Sequence, residues 1–400
     1  MITFLWGICL STTLILLSSV AHLVRLALAK PYPPTNQFKV AVIVPCKGND
    51  DPDFENNLRN IIQQQYSGAV QYLFCAESEE DSAVPFLRQL ERDFPSVQVT
   101  IAGLATHCAQ KTFNILKGMA ATKANTEIFV LADADIQPHP TWLQELLGPF
   151  CDPKIGATTG FFRRIPMTPT FRWGDYLAGI FGSFIITGLS EDLLKGLWGG
   201  SLAVRKEIMD KYQIYSRLET EIVDDIAIMH ALHQHKIERR YVQSATLKNY
   251  CDMSFEDGFE WFIRQTQFSQ IYFKWLFSFY FVMIWPYAFY ILTLPFLFSY
   301  GLIAQNSLAL SASLAFFLGL ILSGYLLYRS IPINPANLAP GDLNYRLPLW
   351  LLMTPFAYLC AALVLLQTLL RVKNGLLIMR WRRITYHVEI KTGRVVEVFR

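Results

Sequence analysis

Three long stretches of this sequence carry no charged side chain, and they constrain the fold more than any other feature. Residues 2–24, 275–328 and 347–370 contain no Asp, Glu, Lys or Arg. A helix needs roughly 20 apolar residues to cross a bilayer. The first and last stretches are long enough for one span each, and the middle stretch is long enough for two. The sequence therefore predicts an integral membrane protein.

The charged residues are concentrated between Lys30 and Lys274, where the composition is that of an ordinary soluble domain. Across the whole chain only 17% of the residues are charged and 52% are hydrophobic, whereas soluble domains average about 25% charged residues. This composition excludes a disordered chain. The net charge of +3 is close to neutral, which argues against a nucleic-acid-binding protein. We therefore expect one large aqueous domain and no nucleic-acid partner.

These patterns divide the chain into five regions. We expect an N-terminal transmembrane anchor over 1–29, an aqueous domain over 30–254, an interfacial helix over 255–274, a transmembrane region over 275–370 and a basic tail over 371–400. The interfacial assignment follows from the aromatic and partly basic character of that helix. By length, the transmembrane region holds about three spans. The sequence gives no prediction of the oligomeric state.

Two features of the sequence disagree about the side of the membrane on which the tail lies. Its basic residues place it on the cytosolic face, whereas an odd number of spans after a cytosolic domain would place it outside. A re-entrant or interfacial segment within 275–328 or 347–370 would reconcile the two. The basic residues are Arg371, Lys373, Arg380, Arg382 and Arg383.

The seven cysteines favour a cytosolic aqueous domain. Their number is odd and no two form a C-x-x-C pair, so they indicate neither a disulfide framework nor a zinc site. Reduced thiols are typical of the cytosol. We therefore expect the domain over 30–254 to face the cytosol.

The first half of the aqueous domain alternates predicted strands with predicted helices. This order is typical of an α/β fold with a mostly parallel sheet that is covered on both faces. Ligands of such sheets bind at the carboxyl ends of the strands, which directs attention to Pro45, Glu77 and the segment Asp133-Ala-Asp135. The predicted strands are Phe38–Val44, Val70–Cys75, Val97–Ile101 and Glu127–Leu131, with helices over 53–65, 83–93, 109–123 and from about Pro138.

The pattern becomes less regular after residue 155. We expect a strand over Gly196–Val204, a helix over 221–236 and a strand over Ile237–Val242. The segment Tyr176–Leu189 is apolar but too short to cross a bilayer. It is expected to lie on the membrane surface as a second contact beside the interfacial helix.

Asp133 and Asp135 follow the predicted strand that ends at Leu131. The chain turns at the end of a strand, so both carboxylates can reach one point. Two hard oxygen ligands suit Mg²⁺ or Mn²⁺ bridging a diphosphate. The alternative is an N-cap for the next helix. At this place in the topology we favour the metal site.

Asp224 and Asp225 form the second acidic pair. Adjacent carboxylates repel each other, which tends to raise the pKa of one of them. A base held close to an acceptor is one use of such a pair. The residues alone favour the simpler interpretation, an acidic first turn of a helix.

Two further segments carry side chains suited to a binding site. Trp198-Gly199-Gly200-Ser201 combines an aromatic surface with close backbone approach, or is a tight turn before a strand. Arg264-Gln265 lies in the predicted interfacial helix, where the guanidinium could hold a diphosphate or could extend to the lipid headgroups as an interfacial arginine.

Taken together, these segments resemble the family 2-type, GT-A-fold membrane glycosyltransferases, and within them the ceramide glucosyltransferase-like branch. The resemblance covers nearly the whole chain. The matching motifs, in the family's order, are Val42-Ile-Val-Pro45, Gln110-Lys111 with Asn114, Asp133-Ala-Asp135, Trp198-Gly-Gly-Ser201, Val223-Asp-Asp225, Trp261-Phe-Ile-Arg-Gln265 and Trp381–Tyr386.

The sequence departs from the family pattern at two places. The last motif commonly ends in Arg-Trp, but here Gln265 follows Arg264 and Trp261 replaces an earlier polar residue, which weakens any expectation of processive polymer synthesis. An Asp that binds the nucleotide base often follows the second strand. Here Glu77 is the candidate substitute.

The resemblance implies a GT-A fold, a Rossmann-like mixed sheet, and inverting transfer of a hexose such as glucose from a UDP-linked donor. It implies that Asp225, beside Asp224, acts as the base that deprotonates the acceptor. A divalent metal on Asp135 and Asp133 would neutralise the diphosphate. The nucleotide-sugar site would comprise Pro45, Glu77, Lys111, Asp133, Arg264 and Gln265, and the acceptor would face Trp198, Gly199 and Gly200.

The expected acceptor is a membrane lipid hydroxyl such as that of ceramide. The aqueous domain is tethered by apolar segments on both sides, and the aromatic segment Trp261–Trp275 places Arg264 near the interface. One alternative is a polysaccharide synthase, but about four spans are few for a channel. The other is a non-catalytic membrane scaffold, against which the intact Asp133, Asp135 and Asp225 argue.

Overall fold

The computed structural model describes residues 2–29, 31–168, 170–190, 196–330 and 345–400. Eleven strands occur in these residues. They are β1 (Val40–Pro45), β2 (Val70–Ala76), β3 (Val97–Ile101), β4 (Ile128–Ala132), β5 (Ile155–Pro166), β6 (Ser201–Arg205), β7 (Glu238–Cys251), β8 (Val372–Lys373), β9 (Leu376–Trp381), β10 (Ile384–Glu389) and β11 (Val395–Phe399).

Thirteen α-helices occur in the same residues. They are α1 (Ile2–Leu28), α2 (Phe54–Ile62), α3 (Val84–Asp93), α4 (Gln110–Ala120), α5 (Trp142–Leu147), α6 (Trp173–Ser190), α7 (Lys206–Lys211), α8 (Tyr215–Leu218), α9 (Asp224–Gln234), α10 (Phe255–Tyr272), α11 (Lys274–Ile303), α12 (Ser307–Arg329) and α13 (Leu347–Leu370).

A seven-stranded mixed sheet in the order β3-β2-β1-β4-β6-β5-β7 forms the centre of the aqueous domain. Strands β1 to β4 are parallel, β6 runs antiparallel to both β4 and β5, and β5 is parallel to β7. The predicted alternation of strands and helices is confirmed for β1 to β4, and the predicted α/β class is confirmed. The carboxyl ends of β1 and β4 are neighbours, which places the segments that follow them at one edge.

Strand β1 is buried on both faces, and this makes it recognisable in the sequence. Val40, Val42 and Val44 pack into one hydrophobic cluster, and Ala41 and Ile43 pack into another on the opposite face. A strand covered on both faces has an unbroken apolar sequence, and β-branched residues suit its pleated backbone.

Strand β5 has no counterpart among the predictions. Its residues from Ile155 to Phe162 are all buried, but this run mixes Gly and Thr with apolar residues and is followed by Arg163-Arg164 within the same strand. It therefore shows neither the alternation of a half-exposed strand nor the continuous apolar run of a buried one. Strand β7 is also longer than predicted, ending at Cys251 instead of Val242.

Three helices in the described residues are long and apolar enough to cross a membrane, namely α11, α12 and α13. The N-terminal helix α1, predicted as an anchor, lies against α12. Gly319 of α12 faces Thr12, and the His22 ring nitrogen Nε2 is 2.7 Å from the Ser330 carbonyl oxygen.

Helices α6 and α10 lie together between the sheet and the long apolar helices. The rings of Phe181 on α6 and Phe262 on α10 stack with centroids 3.3 Å apart. The apolar segment Tyr176–Leu189 is enclosed by other helices over its first half. Leu177, Ile180 and Phe181 are fully buried, because α10 and α13 enclose this face of α6.

Both ends of α13 contact the layer formed by α6 and α10. Before its first turn, the Tyr345 hydroxyl donates to the Asp175 carbonyl at 3.1 Å, and the Arg346 N–H donates to the Tyr176 hydroxyl at 3.1 Å. After its last turn, Arg371 Nη1 lies 2.9 Å from Glu260 Oε2 on α10.

The tail is not only a basic segment. It forms a four-stranded antiparallel sheet in the order β11-β10-β9-β8. Alternate residues of β9 and β10 point inward, including Leu377, Met379 and Tyr386, and they pack against Phe268 and Ile271 of α10. Interspersed arginines hide this period-two pattern in the sequence. We call this unit the C-terminal sheet.

Candidate active site

A cavity of about 460 Å³ lies where the carboxyl edge of the large sheet meets α10 and the C-terminal sheet. Segments distant in sequence meet there because parallel strands end at one edge. Of the twelve residues that the sequence assigned to the catalytic, donor, acceptor and metal sites, eight line the cavity, namely Pro45, Lys111, Asp133, Asp135, Trp198, Asp225, Arg264 and Gln265.

Asp133 and Asp135 directly follow β4 and differ in their partners. Asp133 Oδ1 lies 2.7 Å from Lys111 Nζ on α4. Among the described residues, the Asp135 carboxylate has no hydrogen-bond or ion-pair partner, while its backbone carbonyl accepts from Asn249 Nδ2 at 2.6 Å. The turn is thus held by its backbone, which leaves the Asp135 carboxylate open to the cavity.

This acidic pair fits a divalent cation that is shared with a substrate phosphate. Burial raises the pKa of Asp135, and Asp133 adds to the rise, so a cation there would relieve the cost of the buried charge. No group of three or more His, Cys, Asp or Glu able to hold a metal occurs in the described residues. Mg²⁺ sites commonly use only one or two carboxylates, with water and phosphate completing the coordination.

Asp225 lies at the first turn of α9 and faces the cavity. The Gly199 N–H donates to Asp225 Oδ2 at 2.7 Å, which fixes the carboxylate. Burial, with the neighbouring Asp224 charge adding to it, raises the pKa of Asp225 to about 7. A carboxyl group with this pKa can accept a proton near neutral pH.

Asp224 points away from the cavity. It is fully buried, and its Oδ1 is 3.7 Å from Lys111 Nζ. Burial raises its pKa, and Lys111 opposes the rise. Of the two adjacent aspartates, only Asp225 lines the cavity, and Asp224 places a second carboxylate near Lys111, in addition to that of Asp133.

Gly199 and Gly200 pass between the two acidic pairs. A Cβ on Gly200 would lie 2.7 Å from Asp133 Oδ2, and a Cβ on Gly199 would lie 3.3 Å from Asp225 Oδ2 and closer still to Asp224. Only glycine lets the backbone approach both pairs this closely. The ring of Trp198 lines the cavity and packs against that of Phe162, with the two ring centroids 4.7 Å apart.

Arg264 reaches the cavity from α10. Its guanidinium carbon lies 5.2 Å from the centre of the Trp381 ring. Burial lowers its pKa to about 10, and the nearby Arg164 and Arg382 add to the decrease. Arg264 therefore lies among other cations, beside the turn that carries Asp133 and Asp135, which we call the acidic turn.

The structure does not bring Glu77 to the cavity wall. Both carboxylate oxygens of Glu77 lie 2.9 Å from Lys47 Nζ, and it is Lys47 that lines the cavity. Asp50 and Asp51 from the same loop after β1 also line it. Asp50 and Asp51 follow the end of β1 by five and six residues. The sequence prediction covered only the residues close behind each strand and therefore did not include them.

Three further cavity residues were missed. Arg164 lies at the end of β5, with its guanidinium carbon 4.5 Å from the centre of the Trp261 ring. Asn249 belongs to the unpredicted part of β7, and Arg382 belongs to the C-terminal sheet. Each depends on an element that the sequence pattern did not reveal.

The other end of the cavity is apolar and lies among the membrane-side helices. Its lining comes from α6, α11 and α13. Among the described residues that line the cavity, those at this end are uncharged, whereas the sheet end holds the carboxylates and cations. The residues are Phe184, Ile185, Leu276, Tyr280, Ile284, Ala361 and Leu365.

A model of the family described as Glycosyl transferase family 21 matches residues 5–394. The chain is similar to hyaluronan synthases from Streptococcus pyogenes, including serotype M1, with 24% identity over 159 residues. This alignment covers 39% of the chain and 36% of each synthase, so the chain matches only about a third of their length.

Two solved structures are similar in fold. One is the mannosyltransferase PcManGT from Pyrobaculum calidifontis in complex with GDP-Man and Mn²⁺, with 17% identity, a TM-score of 0.48, and coverage of 90% of this chain and 98% of that one. The other is glucosyl-3-phosphoglycerate synthase from Mycobacterium tuberculosis with Mn²⁺ and UDP, with 15% identity, a TM-score of 0.35, and coverage of 54% and 72%.

Proposed function

Because the chain belongs to glycosyl transferase family 21, we propose that it transfers a hexose from a nucleotide sugar to the hydroxyl of a membrane lipid. The observation that carries this proposal is the two-sided cavity. Carboxylates and cations line one end of it, and side chains of the apolar helices line the other. A lipid acceptor has the same division, with a polar hydroxyl and apolar chains.

The charged end supplies the groups that transfer requires. Asp225 takes the proton of the acceptor hydroxyl. The acceptor oxygen then bonds to the anomeric carbon as the bond from that carbon to the diphosphate breaks, which inverts the configuration. Lys111 and Arg264 place positive charge where the departing diphosphate gains negative charge. A bound Mg²⁺ or Mn²⁺, held by Asp135 and Asp133, would supply further positive charge there.

We propose a UDP-hexose, with glucose as the first candidate, as the donor, and ceramide or a related lipid as the acceptor. The apolar end of the cavity lies between α11 and α13, where Leu276, Tyr280 and Leu365 face it. Acyl chains in this position would extend from the reacting hydroxyl into the membrane. Trp198 lies at the charged end, where the acceptor headgroup would meet the sugar.

Narrowing the apolar end of the cavity should weaken binding of the lipid acceptor and leave use of the donor unchanged. Leu365 is buried and lines the cavity. Leu365→Trp should raise KM for a lipid acceptor at least tenfold, since blocking one apolar position in a pocket costs a few kcal/mol of binding free energy. The rate of nucleotide-sugar hydrolysis should stay within about twofold of wild type. The matched control is Leu366→Trp on the exposed side of α13, which should behave as wild type. Kinetics in detergent with ceramide, diacylglycerol and a soluble sugar provide the measurement.

Two outcomes would count against this acceptor site. Transfer to the soluble sugar alone would exclude a lipid acceptor. An unchanged KM for lipid in Leu365→Trp, with Leu366→Trp also unchanged, would place the acyl chains elsewhere.

We also propose a topology in which α11 and α12 cross the membrane as a hairpin and α13 stays on the side of the catalytic domain. Both ends of α13 contact α6 or α10, and the C-terminal sheet packs on α10. This arrangement gives an even number of crossings between the catalytic domain and the tail. It would place both in the cytosol, as the basic residues of the tail favour.

Cysteine labelling in sealed cells should test this topology. Among the cysteines whose side chains the structure describes, Cys151 is exposed and the others are buried, so Cys151 serves as the native probe. An impermeant maleimide should label Ser307→Cys, at the first residue of α12 beside the turn that follows α11, without permeabilisation. It should label Cys151 and Lys391→Cys only after permeabilisation, with Cys151→Ser as the background. Labelling of Lys391→Cys in sealed cells would contradict the topology.

A further inference from the structure

The turn between β9 and β10 has an unusual backbone for its sequence. Trp381 pairs with Ile384, so Arg382 and Arg383 alone form the turn. Both have positive φ, 49° for Arg382 and 64° for Arg383. Two-residue turns of this kind favour Asn-Gly, because a side chain with a Cβ is strained in the left-handed region.

The surroundings fix this turn beside the charged end of the cavity. The Trp381 ring lies under Arg264. The Gln110 N–H donates to the Tyr386 hydroxyl at 3.2 Å, and Gln110 precedes Lys111 on α4. Arg400 Nη2 donates to Gln110 Oε1 at 2.9 Å. The C-terminal sheet is thus attached to both helices that bring cations to the acidic turn.

Only one of the two turn arginines faces the cavity. Arg382 lines it, whereas Arg383 does not. Within the described part of the chain, Arg382 has no hydrogen-bond or ion-pair partner, and it shares the cavity wall with Arg264 and with the turn that carries Asp133 and Asp135. Arg382 is exposed, so its guanidinium is accessible to a bound anion, and together with Arg264 it gives this part of the cavity wall positive charge.

We propose that Arg382 binds the diphosphate of the nucleotide-sugar donor, so that the C-terminal sheet completes the donor site. This inference rests on the function proposed above and extends it to a residue outside the catalytic domain. A guanidinium can donate two parallel hydrogen bonds to phosphate oxygens. Strain retained in a backbone at a binding site is consistent with a side chain that is needed there.

The matched pair Arg382→Gln and Arg383→Gln tests the proposal, because the two residues share type, turn and backbone region. Calorimetric titration with UDP and Mn²⁺ should show about a ten- to hundredfold loss of affinity for Arg382→Gln, the usual effect of removing a hydrogen bond to a charged group. Arg383→Gln should stay within about twofold of wild type. The affinity for uridine, which lacks the diphosphate, should not differ among the three proteins.

A second set of variants separates ligand binding from a role in folding. Arg383→Gly should relieve strain, raise Tm and keep UDP affinity. The double variant Arg382→Asn with Arg383→Gly should also raise Tm, since Asn-Gly suits the turn, but it should lose UDP affinity. A more stable protein with weaker binding cannot be explained by misfolding.

The outcomes separate a failure of the role of Arg382 from a failure of the proposed function. If wild type binds UDP or GDP and the Arg382 variants bind it equally well, the role of Arg382 is excluded and the proposed function stands. If wild type binds neither nucleoside diphosphate, the proposed function fails and this inference fails with it.

Discussion

Asp225→Asn should lower the rate of sugar transfer by roughly 10²–10⁴-fold, the range expected for loss of a general base. The variant keeps the size of the side chain and its ability to accept from the Gly199 N–H. It cannot accept the proton of the acceptor hydroxyl. Binding of the nucleotide should persist, because Lys111 and the acidic turn after β4 are unchanged. Steady-state transfer and UDP titration on the same preparation provide the measurement.

The pH dependence gives this prediction a second readout. The pKa of Asp225 is raised to about 7 by burial and by Asp224, and the base must be ionised to accept a proton. The transfer rate should therefore fall as the pH decreases below about 7 and level off above it. This limb should be absent from the residual activity of Asp225→Asn. Transfer by the variant at the wild-type rate would exclude Asp225 as the base.

Asp135→Asn should abolish metal-dependent transfer. The change replaces an unpaired, cavity-facing carboxylate with a neutral ligand, and hard divalent cations bind neutral amide oxygens much more weakly. We expect at least a hundredfold loss of transfer, because the charge that develops on the leaving diphosphate would be less stabilised. Titration of transfer with Mg²⁺ and Mn²⁺ after removal of bound metal provides the measurement.

Asp51→Asn is the matched control for this prediction. Asp51 also lines the cavity, but it belongs to the loop after β1, where it accepts from the Asp53 N–H at 2.9 Å. This variant should retain the wild-type response to added metal. Full activity of the wild-type protein in excess chelator would exclude the metal site, as would an Asp135→Asn variant with an unchanged metal response.

The first four strands and the acidic turn could be predicted because burial on both faces leaves a clear mark on sequence. Strand β4 reads Ile128-Phe-Val-Leu-Ala132 and is entirely buried, so its end and the carboxylates that follow it are easy to locate. Parallel strand order then places those carboxylates at the ligand-binding edge. The order of the motifs carried the resemblance to family 2-type, GT-A-fold glycosyltransferases, and this resemblance implied the mixed sheet, whereas the residues alone predicted a mostly parallel one; the family model that matches is that of glycosyl transferase family 21.

What the sequence did not reveal depends on tertiary contacts. Arg164 reaches the cavity on β5, a strand whose buried glycines and threonines lack a clear period. Arg382 reaches it on the C-terminal sheet, where arginines interrupt the alternation of Leu377, Met379 and Tyr386. Asp224 and Asp225 are adjacent in sequence, but the first turn of α9 directs one into the core and the other into the cavity.

The size of the product tests the central claim most directly, because the claim is that one cavity joins a nucleotide sugar to a single lipid hydroxyl. Purified protein is incubated with a UDP-hexose panel and ceramide, and the organic extract and aqueous phase are examined by mass spectrometry. The account predicts a lipid product that carries one hexose, absent when Asp225→Asn is used. A water-soluble polymer, or free hexose with no lipid product from any lipid tested, would contradict it.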